Sequence, residues 1–424
     1  MEIKDLMLFI GEQATGKSTV AKLVYFFKSL RDDLAAYMYE SEIETSEILR
    51  TNYLKNIKSK FSPRFFGSTK HLPAFHLMFK YKEGSYLQIR MNDRKYINVT
   101  FTDSENGTSG VNTFGELDRI CWQINDFRNH FLGRNASFLS GSQYKQFESE
   151  KKRRQIEIES LINNFFGDER DTLFIPAGRS LLSTLSEQLQ TLDTYNLDFL
   201  MKAFLERINR LKPAFNLSFS EIVEDRMFHG NHLPENSKIE TAIQKIKEIL
   251  KGEYQIDRFG EKIFFDQENY VKLSMASSGQ QEAVWILLQL FILLINREKI
   301  FLVIEEPEAH LFPKAQKSLV ELITLLFNEN NSQVLITTHS PYILTAFNNL
   351  IYAGNVGREH GEAGEVIPKL LWINHEEAGT YRLQDGVAED LMDEETHLIR
   401  VEEIDTVSQS INQDFDTLLN LELQ

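Results

Sequence analysis

The stretch Leu6-Met7-Leu8-Phe9-Ile10-Gly11-Glu12-Gln13-Ala14-Thr15-Gly16-Lys17-Ser18-Thr19 is an apolar run that stops at a glycine, then a loop with a second glycine, then a lysine and two hydroxyl residues. A continuous apolar run buries both of its faces, as a parallel strand does. From Ser18 onward apolar residues recur at helical spacing. The reading is strand, glycine loop, helix. Gly11 to Ser18 also satisfies the pattern G-x-x-x-x-G-K-[S/T]. Glycines let the backbone wrap a phosphate, and the open N–H groups of Gln13 to Thr19 at the helix start favour an anion. In this pattern Lys17 reaches β- and γ-phosphates, and Ser18 ligates Mg²⁺.

Three further segments carry chemistry. Ile300 to Ile304 is an apolar strand ending in Glu305-Glu306-Pro307. Neighbouring side chains on a strand face opposite ways, but at a strand end one carboxylate can ligate a metal while the next orients or deprotonates a water. Ser277-Ser278-Gly279-Gln280-Gln281-Glu282 precedes the apolar helix Ala283 to Ile295 and reads as a helix cap or as a second anion site. Val334 to Thr338 is a strand followed by His339, whose imidazole can hydrogen-bond a γ-phosphate.

Elsewhere the pattern changes period. Between His76 and Asp103 apolar and polar residues alternate around the turn Lys82-Glu83-Gly84-Ser85, which predicts an antiparallel β lobe. Residues 114–170 and 181–250 read as helical, Thr172 to Ile175 as a buried strand and Tyr254 to Leu273 as a hairpin. Lys314 to Phe327 reads as a helix between the two motif strands. There is no internal repeat and no sustained heptad, so a long coiled-coil arm is not expected.

Composition narrows the class. The chain has 424 residues, 42% hydrophobic and 25% charged, enough to bury a sizeable core. One cysteine, Cys121, excludes a disulfide framework and paired-thiolate zinc sites. The longest apolar run, Ala283 to Ile295, is too short for a membrane span and reads as a buried helix, and the acidic start is unlike a signal peptide. A cytoplasmic protein with no membrane partner is expected. The formal charge of −16 is concentrated: residues 351–424 hold 17 acids and four bases. The body can therefore carry basic patches such as Lys55 to Lys70 or Lys151 to Arg154, which are solvated faces unless something binds them. From Ile404 onward Val407, Ile411, Phe415 and Leu418 form an apolar stripe among acids, which must dock on its own head, another subunit or a basic effector surface.

The four motifs in this order resemble the ABC-type ATPases, within them the branch that includes SMC, RecF and overcoming-lysogenization-defect (OLD) proteins. Glu305-Glu306-Pro307-Glu308-Ala309-His310-Leu311-Phe312-Pro313 is similar to that branch's extended Walker B and D-loop, Ser277 to Glu282 to its signature, and His339 to its switch histidine. The resemblance implies an α/β head with a mixed central sheet, an antiparallel β lobe, a helical insertion and a small C-terminal appendage. Its boundaries would be 1–115 for the N-terminal part, 116–275 for the insertion and hairpin, 276–350 for the C-terminal part and 351–424 for the appendage. It also implies ATP and Mg²⁺ as cofactors. Gly11, Gln13, Ala14, Thr15, Gly16, Lys17, Ser18 and Thr19 would hold the nucleotide, with Ser278, Gly279 and Gln280 from a second head. Glu305 with Ser18 would hold the metal, while Glu306, His339 and Lys17 act in hydrolysis. The implied assembly is a homodimer or higher homo-oligomer with nucleotide between heads.

Three departures stand out. Only ten residues precede Gly11, where related heads have a strand pair; Glu305 stands where transporter ATPases have aspartate; and no glutamine loop is recognisable. Instead Phe174-Ile175-Pro176-Ala177-Gly178-Arg179-Ser180 resembles a segment of OLD-like ATPases, in which Arg179 is either a phosphate sensor or a helix-start arginine. Residues 350–424 are too few for a TOPRIM nuclease, so none is expected in this chain. Family analogy suggests a sensor or scaffold for a separate effector, a nuclease or toxin, in anti-phage defence. The alternatives are a DNA-repair or recombination head of the SMC/RecF kind, which leaves DNA as a ligand, and a transporter ATPase, which the Pro-Glu-Ala-His turn disfavours.

Overall fold

The computed structural model describes residues 1–40, 45–67, 69–105, 111–132, 141–184, 197–230, 232–401, 413–416 and 418–419. Its strands are β1 Leu6–Ile10, β2 Phe75–Lys82, β3 Ser85–Met91, β4 Ile97–Thr102, β5 Asp171–Ile175, β6 Glu253–Asp257, β7 Gly260–Phe264, β8 Tyr270–Lys272, β9 Ile300–Glu305, β10 Gln333–Thr338, β11 Ala378–Gln384 and β12 Val387–Asp390. The helices are α1 Lys17–Ala36, α2 Ser46–Ser59, α3 Val111–Phe131, α4 Gly141–Phe166, α5 Ser180–Thr184, α6 Phe199–Leu211, α7 Phe219–Phe228, α8 Asn236–Leu250, α9 Ser278–Asn296, α10 Pro313–Asn330, α11 Pro341–Gly357 and the single turn α12 Ala363–Val366. The chain divides into two compact units, residues 1–21 with 173–424, and residues 22–172.

The first unit is built on a six-stranded sheet in the order β12-β11-β1-β10-β9-β5. β11, β1, β10 and β9 run parallel and β12 closes one edge antiparallel. Parallel strands covered on both faces need apolar side chains throughout. Every residue of β1, β9 and β10 is accordingly buried. The register aligns Ile10 with Thr338 and Thr337 with Glu305, so the residues that follow these strands emerge along one edge of the sheet. α9 is buried from Glu282 to Ile295. It is long and apolar enough to cross a membrane, yet it lies inside the core as the sequence suggested. The hairpin expected between Tyr254 and Leu273 is a three-stranded sheet, β6-β7-β8.

The segment expected to be an appendage differs. Ala378–Gln384 inserts beside β1 as a sheet strand, with all but Arg382 and Gln384 buried. Residues around it are acidic, and composition hid a strand whose own sequence, Ala-Gly-Thr-Tyr-Arg-Leu-Gln, carries no acid. This strand pairs parallel with β1 on the side away from β10. Ile404, Val407 and Ile411 of the apolar stripe lie outside the described residues; Phe415 and Leu418 are exposed.

The second unit contains the antiparallel sheet β2-β3-β4, in agreement with the alternating pattern. Phe26 of α1 makes edge contacts with Phe27, Phe61 and Phe65 at centroid distances near 5.5 Å. Lys28 pairs with Asp168 at 2.5 Å, and Asp32 accepts from Thr172 N at 2.9 Å and Oγ1 at 2.7 Å. Cys121 on α3 is fully buried, and burial, helped by Asp118, pushes its thiol up to about 12. The thiolate is the nucleophile. Iodoacetamide at pH 8 is therefore expected to leave Cys121 unlabelled in the folded protein and to label it stoichiometrically after unfolding; mass spectrometry showing native labelling would mean that α3 opens.

Candidate active site

β1 ends where the chain must pass another backbone. A Cβ on Gly11 would lie 2.4 Å from the carbonyl oxygen of Leu383 in β11, so only glycine fits. The loop then turns through left-handed conformations at Ala14 (φ 63°) and Gly16 (φ 94°), the first of which strains a residue with a Cβ. Gln13, Ala14, Ser18 and Thr19 are exposed, and Thr15 and Gly16 half-buried. Thr15 Oγ1 donates to Glu12 O at 3.0 Å. Lys17 is only 5% exposed, and its ammonium folds back into the loop to donate to Gly11 O at 2.7 Å and Glu12 O at 2.6 Å. Burial pushes Lys17 below its ordinary pKa, while the charges of Glu306 and Glu308 pull the other way.

The carboxylates stand at the same sheet edge. Glu305, the last residue of β9, is buried, and its Oε2 accepts from Ala177 N at 3.3 Å. Glu306 adopts φ 44°, a left-handed bend for a residue with a side chain, and its N–H donates to Thr337 O at 2.9 Å. That bend turns its carboxylate to His339, whose Nε2 is 3.1 Å from Oε1; His339 Nδ1 is in turn 3.4 Å from Lys17 Nζ. An ammonium can only donate, so Nδ1 must accept and Nε2 must carry the hydrogen given to Glu306. The arrangement assigns a neutral imidazole between a cation and an anion.

Two predicted residues have other occupations. Arg179 is fully buried and is spent on structure. Its Nη1 donates to Pro176 O and Glu305 O, each at 2.7 Å, its Nη2 to Glu306 O at 2.9 Å and its Nε to Glu282 O at 3.2 Å. Glu282 lies 3.3 Å from the same Nε and caps the N–H groups of Arg179 and Ser180 at 3.1 and 3.0 Å. Burial lowers the guanidinium pKa against the opposing charges of four glutamates, Glu282 first. With its donors committed in this way, the guanidinium is not presented to a phosphate. Gln280 likewise closes a capping box with Ser277, its Oε1 accepting from Ser277 N at 3.0 Å, while its Nε2 donates to Leu250 O at 2.6 Å. Ser278 is exposed at the start of α9. Gly279 packs under the turn after Glu306, since a Cβ there would sit 2.7 Å from His310 O. Glu282 was visible in the sequence only as the end of a cap cluster.

Lys17, His339 and Glu306 thus converge beside the end of β9, where Glu305 stands, and the loop presents a buried cation among backbone groups at a helix start. Those features fit a nucleotide's phosphates. Residues 1–344 match the model of the AAA ATPase domain family. The chain belongs to this family. It is therefore an ATP-binding ATPase domain. The chain is also similar to Protein ea59 of Escherichia phage lambda, at 27% identity over 170 residues, which is 39% of this chain and 30% of that protein. The aligned part thus spans less than a third of that relative's length. Among solved structures it is similar to an SMC head bound to the C-winged helix domain of ScpA, with a TM-score of 0.36, 10% identity and coverage of 91% and 88% of the two chains. It is likewise similar to the SMC head domain from Thermotoga maritima, with a TM-score of 0.33, 11% identity and coverage of 92% and 91%.

Replacing Arg179 by Ala would leave Glu282 buried without its cation and take a donor away from four carbonyls. Breaking a buried pair in this way costs about 3–5 kcal/mol. Chemical denaturation of Arg179→Ala is expected to show a loss of that size, and an unchanged midpoint would contradict the structural role.

Proposed function

We propose that this ATPase is of the ABC type, works with Mg²⁺ in the cytoplasm, and completes its sites between two copies of itself. The observation that carries the reading is the Lys17–His339–Glu306 array at the ends of β1, β10 and β9. When ATP enters, Lys17 exchanges the carbonyls of Gly11 and Glu12 for phosphate oxygens. Ser18 and Glu305 would hold Mg²⁺, which when bound neutralises phosphate charge. Glu306 takes the proton of the water that attacks the γ-phosphorus, and ADP leaves with the bridging oxygen's electrons. His339, neutral and donating to Glu306, orients that carboxylate.

Assembly between copies is supported by the surface beside α9. Ser278 is exposed, and Met275 and Phe312, flanking the signature and the acid turn, are 79% and 78% exposed. Large apolar side chains so open to water favour a covering partner. Within residues 350–401 the chain completes the ATPase sheet with β11 and β12. A sensor or scaffold role in anti-phage defence rests on family analogy.

A second reading, a DNA-repair or recombination head, is favoured by one observation. Residues 50–100 contain 11 Lys and Arg against two acids, a net +9 inside a chain of −16. In the second unit a groove of about 490 Å³ between α2 and β4 is lined by Lys55, Lys58, Tyr96 and Asn98. Lys58 Nζ stands 4.1 Å from the Tyr96 ring centroid, pairing a cation with a stacking surface. Lys55→Glu with Lys58→Glu is expected to weaken polyanion binding and flatten its salt dependence by about two phosphate contacts; unchanged affinity for a duplex oligonucleotide would remove this reading.

For the ATPase itself, Lys17→Ala is expected to lose nucleotide binding. Glu306→Gln is expected to bind ATP and lose turnover by about a hundred- to ten-thousand-fold. Ser278→Arg places a bulky side chain at the contact between copies, so binding should persist while hydrolysis and nucleotide-dependent assembly, followed by light scattering, disappear. Equal loss of binding in Lys17→Ala and Glu306→Gln would overturn the role of Glu306.

A further inference from the structure

The acid turn carries a third carboxylate that neither the phosphate loop nor the Walker B pair accounts for. Glu308 follows Glu306 by two residues. Its Oε1 accepts two hydrogen bonds, from Thr338 Oγ1 at 2.7 Å and from His339 N at 2.7 Å. Its Oε2 is shut off from solvent with no partner among the described residues. The Glu308 charge reaches both Lys17 and Arg179. Thr338 is fully buried, and its hydroxyl oxygen accepts from Ser340 N at 3.0 Å, so Glu308 anchors the whole turn from β10 into α11.

This anchor matters because of what His339 must do. Its ring spans from Lys17, 3.4 Å away, to Glu306, 3.1 Å away. Hydrogen bonds weaken steeply as distance and angle depart from their optimum, so moving the ring by an ångström loses one partner or the other. The ring's position follows its backbone, and the backbone N–H of His339 is held by Glu308. The other end of the acid turn is equally constrained. Leu311 N donates to Glu308 O at 2.8 Å, His310 takes φ 60°, and its carbonyl crowds Gly279 at the start of α9. A single short turn thus touches the signature at one end and, through Glu308, the histidine at the other.

We propose that Glu308 is a positioning residue for ATP hydrolysis: it sets His339 between Lys17 and Glu306 and ties that setting to the turn packed against the signature. The assignment rests on the ATPase reading above. Glu308 does not contact the reacting atoms in this scheme; it acts through the histidine. Its removal should therefore change turnover and leave ATP binding, which depends on the loop, in place.

The test uses the full chain, with three measurements on each variant: ATP affinity by calorimetry, kcat and KM from phosphate release, and the thermal midpoint. Wild-type turnover that Glu306→Gln abolishes establishes the parent reading independently, and failure there is a failure of that reading rather than of Glu308. Given that turnover, Glu308→Ala is expected to bind ATP within about threefold of wild type and to lose about a hundredfold in kcat, the scale of an ångström misplacement. Glu308→Gln keeps an oxygen that can accept from Thr338 and His339, and should recover most of kcat with an unchanged pH profile. The assignment is overturned if Glu308→Ala keeps kcat within threefold, if the folded Gln variant is as inactive as Ala, or if ATP binding falls in step with kcat. Should Glu308→Ala fail to fold, Thr338→Val takes its place. It removes one of the two donors, and the same separation of kcat from binding is expected, with unchanged turnover counting against the proposal.

Discussion

Arg179 is the group on which the site's geometry depends. A guanidinium cannot lose its proton under ordinary conditions, so once buried it must find acceptors for its donors or cost several kcal/mol. Here those acceptors are the carbonyls of Pro176, Glu305, Glu306 and Glu282. Satisfying them bends the chain at the end of β9 around a point beside α9. The left-handed φ of Glu306 is what that bend requires, and the strain is held by bonds on both sides of it. Glu282 supplies the countercharge, and its capping of Arg179 N and Ser180 N starts α5 at the same place.

With the acid turn held, the remaining contacts form a chain of opposite polarity: Lys17, His339, Glu306. The lysine is satisfied by the carbonyls of its own loop, which explains how a buried ammonium is tolerated. The neutral imidazole next to it avoids placing a second cation against Lys17. Charge is thus graded across the site from loop to strand end.

Charge is segregated on a larger scale as well. A formal −16 conceals a stretch of net +9 in residues 50–100, and an acidic C-terminal stretch, residues 351–424, whose bases number four. Surface charge of this kind governs encounter and solubility rather than fold. In the second unit it meets a groove with an exposed aromatic ring, while in the first unit the acidic residues surround β11, which itself carries no acid.

Much of this was legible along the chain. The phosphate loop, the apolar strands ending in Glu305 and His339, the β lobe and the buried helix α9 are each defined by contiguous residues, because periodicity and turn chemistry act over a few positions. What the linear pattern left open was decided by contacts between distant parts of the chain. Lys17 meets His339 across 322 positions, and Arg179 meets Glu282 across 103. Nothing in either neighbourhood distinguishes a phosphate sensor from a strut, or a ligand glutamine from a capping one, since Arg and Gln can do both. Residues 378–384 read as part of an acidic tail until the edge of β1 is seen to need a partner, which an unpaired strand's backbone groups demand. The local sequence therefore determined which chemistry the chain carries and which elements bear it. Only the tertiary structure decided which of those groups are free to act, because burial and the obligation to satisfy every buried donor are properties of the packed molecule.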